Sequence, residues 1–400
     1  MQNVKPAIAY YNNPRALWSV ESILCLMTIS SFYSGESSTL RTTLQIGAML
    51  GVTLIFGMDY IRGHQDPTRT NRANLPAYML FAAFAGMFLS FAFSLPSGLS
   101  TRDIGLFYLQ GVIAPMIIFS PRNSSFAYAV GTWAIPFALV DALVNFAGVL
   151  NLIDIQKAAR IIDGTIHYSY SGLSGNLLAA GFVAFIAICR LVVELSDRSN
   201  QRVPLALMIL VILLSIWIIE ARRYTGLTAF ALVVFAGWRI ATKIGFHWLS
   251  IFISGTFLFL NFNSVGIDQS NSLRAELLKN GVDRALEHPL LGAGPRYQEL
   301  DGLKATFEDL AYAGVTESHF LDRVISYGGI SAFALLVASL SAIAIQRNDR
   351  PDYMTIVLMC LVAEQFIGNS LSSLSGTFLL FGCLGGCLRN RQANSKISFH

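Results

Sequence analysis

The chain has 400 residues, of which 54% are hydrophobic and only 13% charged, with a mean hydropathy of +0.54. Soluble domains carry about 25% charged residues, so this composition excludes an ordinary soluble globular protein and points to a polytopic membrane protein. The formal charge of +4 gives no case for nucleic acid, and the five cysteines (Cys25, Cys189, Cys360, Cys383, Cys387) lie in or beside apolar runs with no CxxC, which argues against a disulfide framework or a zinc site.

The N-terminus is polar up to about Pro14. The first apolar run, Ala16 to Tyr33, contains Glu21 and lacks a small-x-small cleavage site, so it reads as a retained first helix rather than a signal peptide. A bilayer-crossing helix needs roughly 17–25 mostly apolar residues. Candidate spans follow in order at 16–33, 40–61, 75–95, 104–120, 125–149, 174–195, 203–220, 224–242, 245–263, 318–345, 352–371 and 374–388. Only the Ser-rich LSSLSG separates the last two, which leaves a hairpin and a single broken helix both open. The expected fold class is therefore all-α: a polytopic integral membrane protein of about twelve transmembrane helices. It divides into an N-terminal bundle over 1–263, a helical outer loop over 264–317 between the ninth and tenth spans, and the last spans with a tail over 318–400.

Loop charges set the orientation. With a cytoplasmic N-terminus, the inner side collects Lys5, Arg15, Arg62, Arg69, Arg72, Arg122, Arg190, Arg198, Arg202, Arg239, Lys243, Arg347, Arg350, Arg389, Arg391 and Lys396. The short outer loops hold Arg41, Arg102, Lys157, Arg160, Arg222 and Arg223. That asymmetry predicts both termini inside. It places the EARRY turn and the 264–317 segment on the outer face, which is the periplasmic face in a Gram-negative cell.

The outer segment is patterned. NSLRAELLKNGVDRALE carries an apolar stripe of Ala275, Leu278, Val282, Ala285 and Leu286, with Arg274 at its edge. Asn271 or Ser272 can cap its start and His288-Pro289 follows its end. The expectation is a helix lying against the membrane surface or the bundle mouth. LLGAGPRY then forms a tight Gly/Pro turn.

The chemistry-bearing candidates cluster on that outer side. In SIWIIEARRYTGLTAF, Glu220, Arg222 and Arg223 interrupt two membrane-type segments with almost no loop. Snorkelling to headgroups is the bland explanation, but positive-inside bias makes this the wrong side for spare arginines, and a guanidinium fork suits phosphate oxygens. One of the two arginines could instead pair with Glu220. Arg274 alone reads as part of a solvated helix face, as do Lys279 and Arg284. His319, where a helix enters the membrane in TESHFLDRVISYGG, is either a hydrogen-bonded capping residue or a proton acceptor, with Glu317 and Asp322 near enough to orient it or to replace it. The polar HYSYSGLSGN after Asp154, Lys157, Arg160 and Asp163 is compatible with sugar contacts. Asp59 and Asp141 are expected to be structurally paired. No HExxH, paired-carboxylate, diphosphate–metal or Walker motif stands out, so metal-dependent or ATP-driven chemistry and a cofactor have no support.

Three of these elements, in this order and spacing, resemble the O-antigen ligase/polymerase superfamily of bacterial membrane proteins. They are Glu-Ala-Arg222-Arg223 after a transmembrane helix, SLRAELLKNGVDRALEHPLLGAG with Arg274, and SHFLDRVISYGG with His319. A looser upstream match is AARIIDGTIHYSYSGLSGNLLAA, with Arg160 and Asn176. The likeness covers about residues 155–340, and the family's serine before the arginine is Ala221 here.

The resemblance implies a metal-independent glycosyltransferase of the inner membrane, acting at the periplasmic face. Its donor is a glycan on undecaprenyl diphosphate, its acceptor a sugar hydroxyl of lipid A–core, and membrane lipids surround it. Arg222, with Arg223 or Arg274, would hold the diphosphate and His319 would take the acceptor's proton. Glu220 and Glu317 stand in reserve, and Arg160 and Asn176 contribute to substrate binding. The polymerase branch, in which a second lipid-linked repeat is the acceptor, is the alternative; chain length, the moderate outer loop and the nearby His element favour the ligase. A lipid-linked-oligosaccharide transporter is the competing class, although transporters tend to show internal repeats and midplane polar sites.

Overall fold

A computed structural model describes residues 19–33, 38–61, 75–95, 99–153, 157–162, 165–170, 173, 177–197, 201–219, 221–263, 269–295, 318–346, 351–368, 371 and 373–397. The architecture is helical, with one short hairpin. Its elements are α1 (Val20–Ser30), α2 (Ser38–Ile61), α3 (Leu75–Ser94), α4 (Thr101–Phe107), α5 (Ala114–Phe119), α6 (Asn123–Val149), β1 (Lys157–Ile162) and β2 (Thr165–Tyr170). They continue with α7 (Leu177–Asp197), α8 (Arg202–Ile218), α9 (Arg222–Ala236), α10 (Trp238–Ile244), α11 (Phe246–Asn263), α12 (Gln269–Glu287), α13 (His319–Ala344), α14 (Tyr353–Ile367) and α15 (Leu374–Ile397).

Each predicted span contains an apolar helix. Among the described residues five are long and apolar enough to cross a membrane: Thr39–Asp59, Leu75–Ser94, Asn123–Val149, Leu178–Asp197 and His319–Ala344. The predicted span 224–242 is a bent pair, α9 and α10, turned by 93° at Gly237, and would make a sixth. Six further apolar helices are 10–17 residues long. The surface has the opposite polarity to that of a soluble domain: Trp217 is 75% exposed and Phe81 74%, whereas Glu364, Asn145 and Thr377 are wholly buried.

α14 is the central helix. Every residue from Tyr353 to Gln365 is buried, as expected of a segment apolar all round. It touches α6, α7, α9, α11, α13 and α15. α15 follows as a separate helix, since Gly368 is extended (φ −153°, ψ 167°). The two are antiparallel: a Cβ on Gly386 of α15 would stand 2.4 Å from Met354 Sδ at the start of α14. The last two spans are thus a hairpin of helices. Elsewhere the bundle closes through small residues. Ser90 and Ser94 of α3 are buried opposite α13 and its docking turn, and Ser90 Oγ donates to the Ser326 carbonyl at 2.8 Å. In an apolar medium such small faces allow the close van der Waals packing that replaces a hydrophobic driving force.

Three details depart from the sequence reading, the first being that α12 begins at Gln269, so that Asn271 and Ser272 lie within it and do not cap it. The segment after α6 forms a two-stranded antiparallel hairpin with Arg160 opposite His167. The buried stripe of α12 runs through Leu277, Gly281 and Ala285, while Val282 and Leu286 are exposed. The α12 helix is rotated from the predicted face: Ala285 turns toward α13 and packs with Ile325, Leu321 and Val324, while Val282 and Leu286 do not.

α13 is broken at Gly328, which takes φ 80° and ψ 165°. The break frees backbone carbonyls, and the PLLGAG turn fills the gap. Ala293 N–H donates to Ile325 O at 2.8 Å, Gly294 N–H to Ser326 O at 2.9 Å, and Gly329 N–H to Pro289 O at 2.8 Å. Contact is so close that a Cβ on Gly328 would lie 2.0 Å from Leu290 O, and one on Gly292 2.6 Å from Gly328 N. Both positions also require positive φ, which glycine alone adopts freely. The two Gly-rich motifs read separately in the sequence are therefore one interlocked joint between the turn after α12 and the helix that begins at His319.

Candidate active site at one end of the bundle

The EARRY turn is as short as its sequence requires. α8 ends at Ile218, Ala221 leaves helical geometry (φ −74°, ψ 65°), and α9 begins at Arg222. Tyr224 is fully buried and packs on Phe182 and Phe185 of α7, with ring centroids at 5.9 and 6.3 Å. This anchors the first turn of α9 and aims the Tyr224 hydroxyl at α14, where it donates to Glu364 Oε1 at 3.0 Å. Arg223 Nη1 lies 3.9 Å from the same oxygen. Arg223 thus meets Glu364 of the central helix.

The C-terminus of α14 also carries the start of α13. Gly368 N–H donates to Glu364 O at 2.9 Å, and Gly368 O accepts the His319 backbone N–H at 2.7 Å. Ser318 caps α13: its hydroxyl accepts from Leu321 N–H at 3.3 Å and donates to Gln365 O at 3.3 Å. Gly368 sits between the two halves of the cluster. A Cβ there would be 2.0 Å from Glu364 Oε1 and 2.7 Å from Arg223 Nη1. His319 is 2% exposed, so its ring lies inside the mouth of the bundle. Asp322 and Arg323, on the next turn, are equally buried.

The remaining predicted site residues are placed less completely. Arg222 is the first residue of α9, Arg274 lies in the first half of α12 and Arg160 in β1; their side chains lie outside the described set. Glu220, Asn176 and Glu317 lie outside the described residues. The backbone nonetheless gathers their elements, since β1 and α13 both lie against α12. The strand of Arg160, the helix of Arg274 and the helix of His319 are neighbours.

Other charges pair structurally. Arg122 Nε and Nη2 bind the two oxygens of Asp59 at 3.0 and 3.1 Å, and Nη1 binds Glu21. The Glu21 hydrogen bond, ahead of that from Asp59, holds the guanidinium above its ordinary pKa. Asp141 accepts from Leu173 N–H at 2.8 Å and from Asn145 at 3.4 Å. Arg190 pairs with Glu194 at 2.8 Å beneath the rings of Tyr128 and Tyr353. Tyr353 opens α14 and Glu364 nearly closes it. Arg190 and Arg223, assigned by loop charge to opposite faces, therefore meet opposite ends of this 15-residue helix, about 22 Å long at 1.5 Å per residue.

Sequence reading missed Glu364, Tyr224 and Arg323. The signal for two of them was present, because an ionisable residue inside a membrane-type segment is a functional candidate by default, and Glu364 and Arg323 both lie within predicted spans. Tyr224 had no such signal.

Among the described residues no group of three or more His, Cys, Asp or Glu is placed to hold a metal ion, and the five cysteines are buried and unbridged. No protein family, curated protein or solved structure matches the chain. The site therefore rests on its own chemistry: cations and a buried carboxylate from α9 and α14, and an imidazole from α13, joined at one end of an apolar bundle.

Proposed function

We propose that this is a membrane-embedded glycosyltransferase of the O-antigen ligase type. It would transfer a glycan from undecaprenyl diphosphate to a sugar hydroxyl of lipid A–core, at the periplasmic face of a bacterial inner membrane, from a bundle of about twelve spans. The observation that supports this most directly is the meeting of the EARRY turn and the His319 helix around the end of α14, from positions almost a hundred residues apart (223 and 319). A lipid diphosphate at headgroup level would approach that end of the bundle.

In the reaction, the acceptor oxygen attacks the anomeric carbon while its proton passes to His319. The bond from that carbon to the diphosphate oxygen breaks, and the leaving diphosphate carries off the electron pair. A single displacement inverts the anomeric configuration. Charge growing on the diphosphate would be stabilised by Arg222 and Arg274, with Arg223, which Glu364 holds, in support. Preorganised cations in a partly dewatered site act without reorganisation at the moment of reaction. Glu364 holds Arg223 near the site, while the Tyr224 hydroxyl donates to the same Glu364 oxygen and competes with Arg223 for it.

The test is reconstitution of the purified chain with lipid-linked glycan and lipid A–core, with and without chelator. Glycosylated core is the expected product, lost in Arg222→Ala, Arg274→Ala and His319→Ala. Full activity in all three variants sinks the site, and loss on chelation sinks the metal-free mechanism. Elongation of the lipid-linked glycan in place of core glycosylation would identify the polymerase, and lipid movement across the vesicle without transfer a transporter.

A further inference from the structure

Arg323 is 3% exposed and lies one turn beyond His319 on α13. Its Nη1 reaches Met87 Sδ of α3 at 3.4 Å. Its Nε and Nη2 are buried and find no hydrogen-bond partner among the described residues. Among the described residues, the other buried or half-buried guanidinium groups each stand within ion-pair distance of a carboxylate. Arg122 holds two carboxylates, Arg190 holds Glu194 beneath two tyrosine rings, and Arg223 faces Glu364. The thioether at Arg323 is a weak acceptor and carries no charge. A buried, unpaired charge is among the costliest features a fold can retain, and such costs concentrate where a ligand will be met.

Geometry narrows the ligand. A guanidinium with two free N–H groups on adjacent nitrogens presents the fork that takes two oxygens of one anion, as phosphate offers. The i,i+4 spacing puts Arg323 and His319 on one face of α13, so the anion would lie beside the imidazole. The interlocked PLLGAG joint begins two residues further on, at Ile325, and α3 packs along the same helix.

We propose that Arg323 is an anion-binding residue, receiving a phosphate group between α3 and α13 beside His319. This deepens the transferase reading, and rests on it for the identity of the phosphate as part of a lipid diphosphate. In that setting Arg323 takes the phosphate nearer His319, and the outer arginines take its exposed side.

The experiment is thermal unfolding of the detergent-purified full chain with inorganic diphosphate, with a short prenyl diphosphate, and with neither, for wild type, Arg323→Met and Arg323→Lys. Diphosphate is expected to raise the wild-type midpoint, by linkage to the folded state alone. Arg323→Met is expected to lose that shift and, without ligand, to unfold above wild type, because an unpaired charge is replaced by an apolar chain. Arg323→Lys keeps the charge but not the fork and should show a reduced shift. A shift from the prenyl compound alone marks the lipid as the source, and equal shifts mark the phosphate group itself; both support the proposal. An undiminished shift in Arg323→Met overturns it. So does failure of Arg323→Met to fold while Arg323→Lys keeps the full shift, since Arg323 is then structural. Absence of any wild-type shift overturns it too, while glycan transfer by the same preparation decides the transferase reading separately.

Discussion

Arg223 Nη1 stands 3.9 Å from Glu364 Oε1, the oxygen that also accepts the Tyr224 hydroxyl at 3.0 Å. Glu364 is fully buried and the Arg223 side chain 11% exposed. Removing one partner of a buried pair leaves the other uncompensated and costs about 3–5 kcal/mol. Glu364→Ala is therefore expected to lower stability by about that amount. Glu364→Gln retains the acceptor for Tyr224 and should lose less. Denaturant titration of the three proteins reads the difference; equal stability for Glu364→Ala and wild type would show that the pair contributes nothing.

Gly368 is extended, so alanine there meets no backbone penalty. The penalty is contact, with a Cβ only 2.0 Å from Glu364 Oε1 and 2.7 Å from Arg223 Nη1. Displacing these groups by about an ångström should cost about 100-fold in rate. Gly368→Ala is thus expected to impair transfer far more than it lowers the unfolding midpoint, and kcat measured beside thermal unfolding separates the two effects.

Gly328→Ala tests the joint between the outer turn and α13. Its Cβ would enter the Leu290 carbonyl at 2.0 Å, at a φ of 80° that alanine disfavours. Strained backbone of this kind costs about 1–3 kcal/mol, and three backbone hydrogen bonds depend on the docking. The expected outcome is release of the turn at 288–295, read as faster cleavage there in limited proteolysis. Unchanged cleavage would mean that the joint does not depend on Gly328.

His319→Ala should reduce transfer about 10²–10⁴-fold, the range of a lost general base, with binding of the lipid diphosphate retained. Loss of donor binding to the same degree would instead make His319 a ligand-holding residue. Direct donor-binding measurements beside single-turnover rates distinguish these roles.

At the far end, Arg122→Ala serves as the contrasting case. The Arg122 side chain is 38% exposed, so solvent screens its pairing more than that of Arg223, although the buried Asp59 and Glu21 are left without their cation. A modest loss of stability with unchanged activity per folded molecule is expected. A large activity loss would tie this end of the bundle to the reaction.

Much of this fold was legible because apolar helices announce themselves by length and composition. Every predicted span holds a helix, and the last two are separate, since α14 stops at the extended Gly368 and α15 starts at Leu374, within LSSLSG. The face of α12 was misread, since periodicity ranks Val282 and Leu286 with the core while packing selects Leu277 and Ala285. Local pattern cannot tell an apolar residue that meets a neighbouring helix from one left facing outward. Gly237 gave no warning of a 93° bend between α9 and α10.

The sequence by itself determined that the chain is a bundle of apolar helices, that arginines and a histidine stand at segment ends, and that Gly-rich steps mark turns. Those properties are local, fixed by side-chain hydropathy and backbone freedom. Only the tertiary structure decided that Arg223 faces Glu364, that His319 hangs from Gly368, that PLLGAG fills the break at Gly328, and that Arg323 is buried with free donors. These are contacts between residues tens to hundreds of positions apart. They are set by long-range packing, of α14 against the helices around it and of α3 and α12 against α13, which no local pattern encodes.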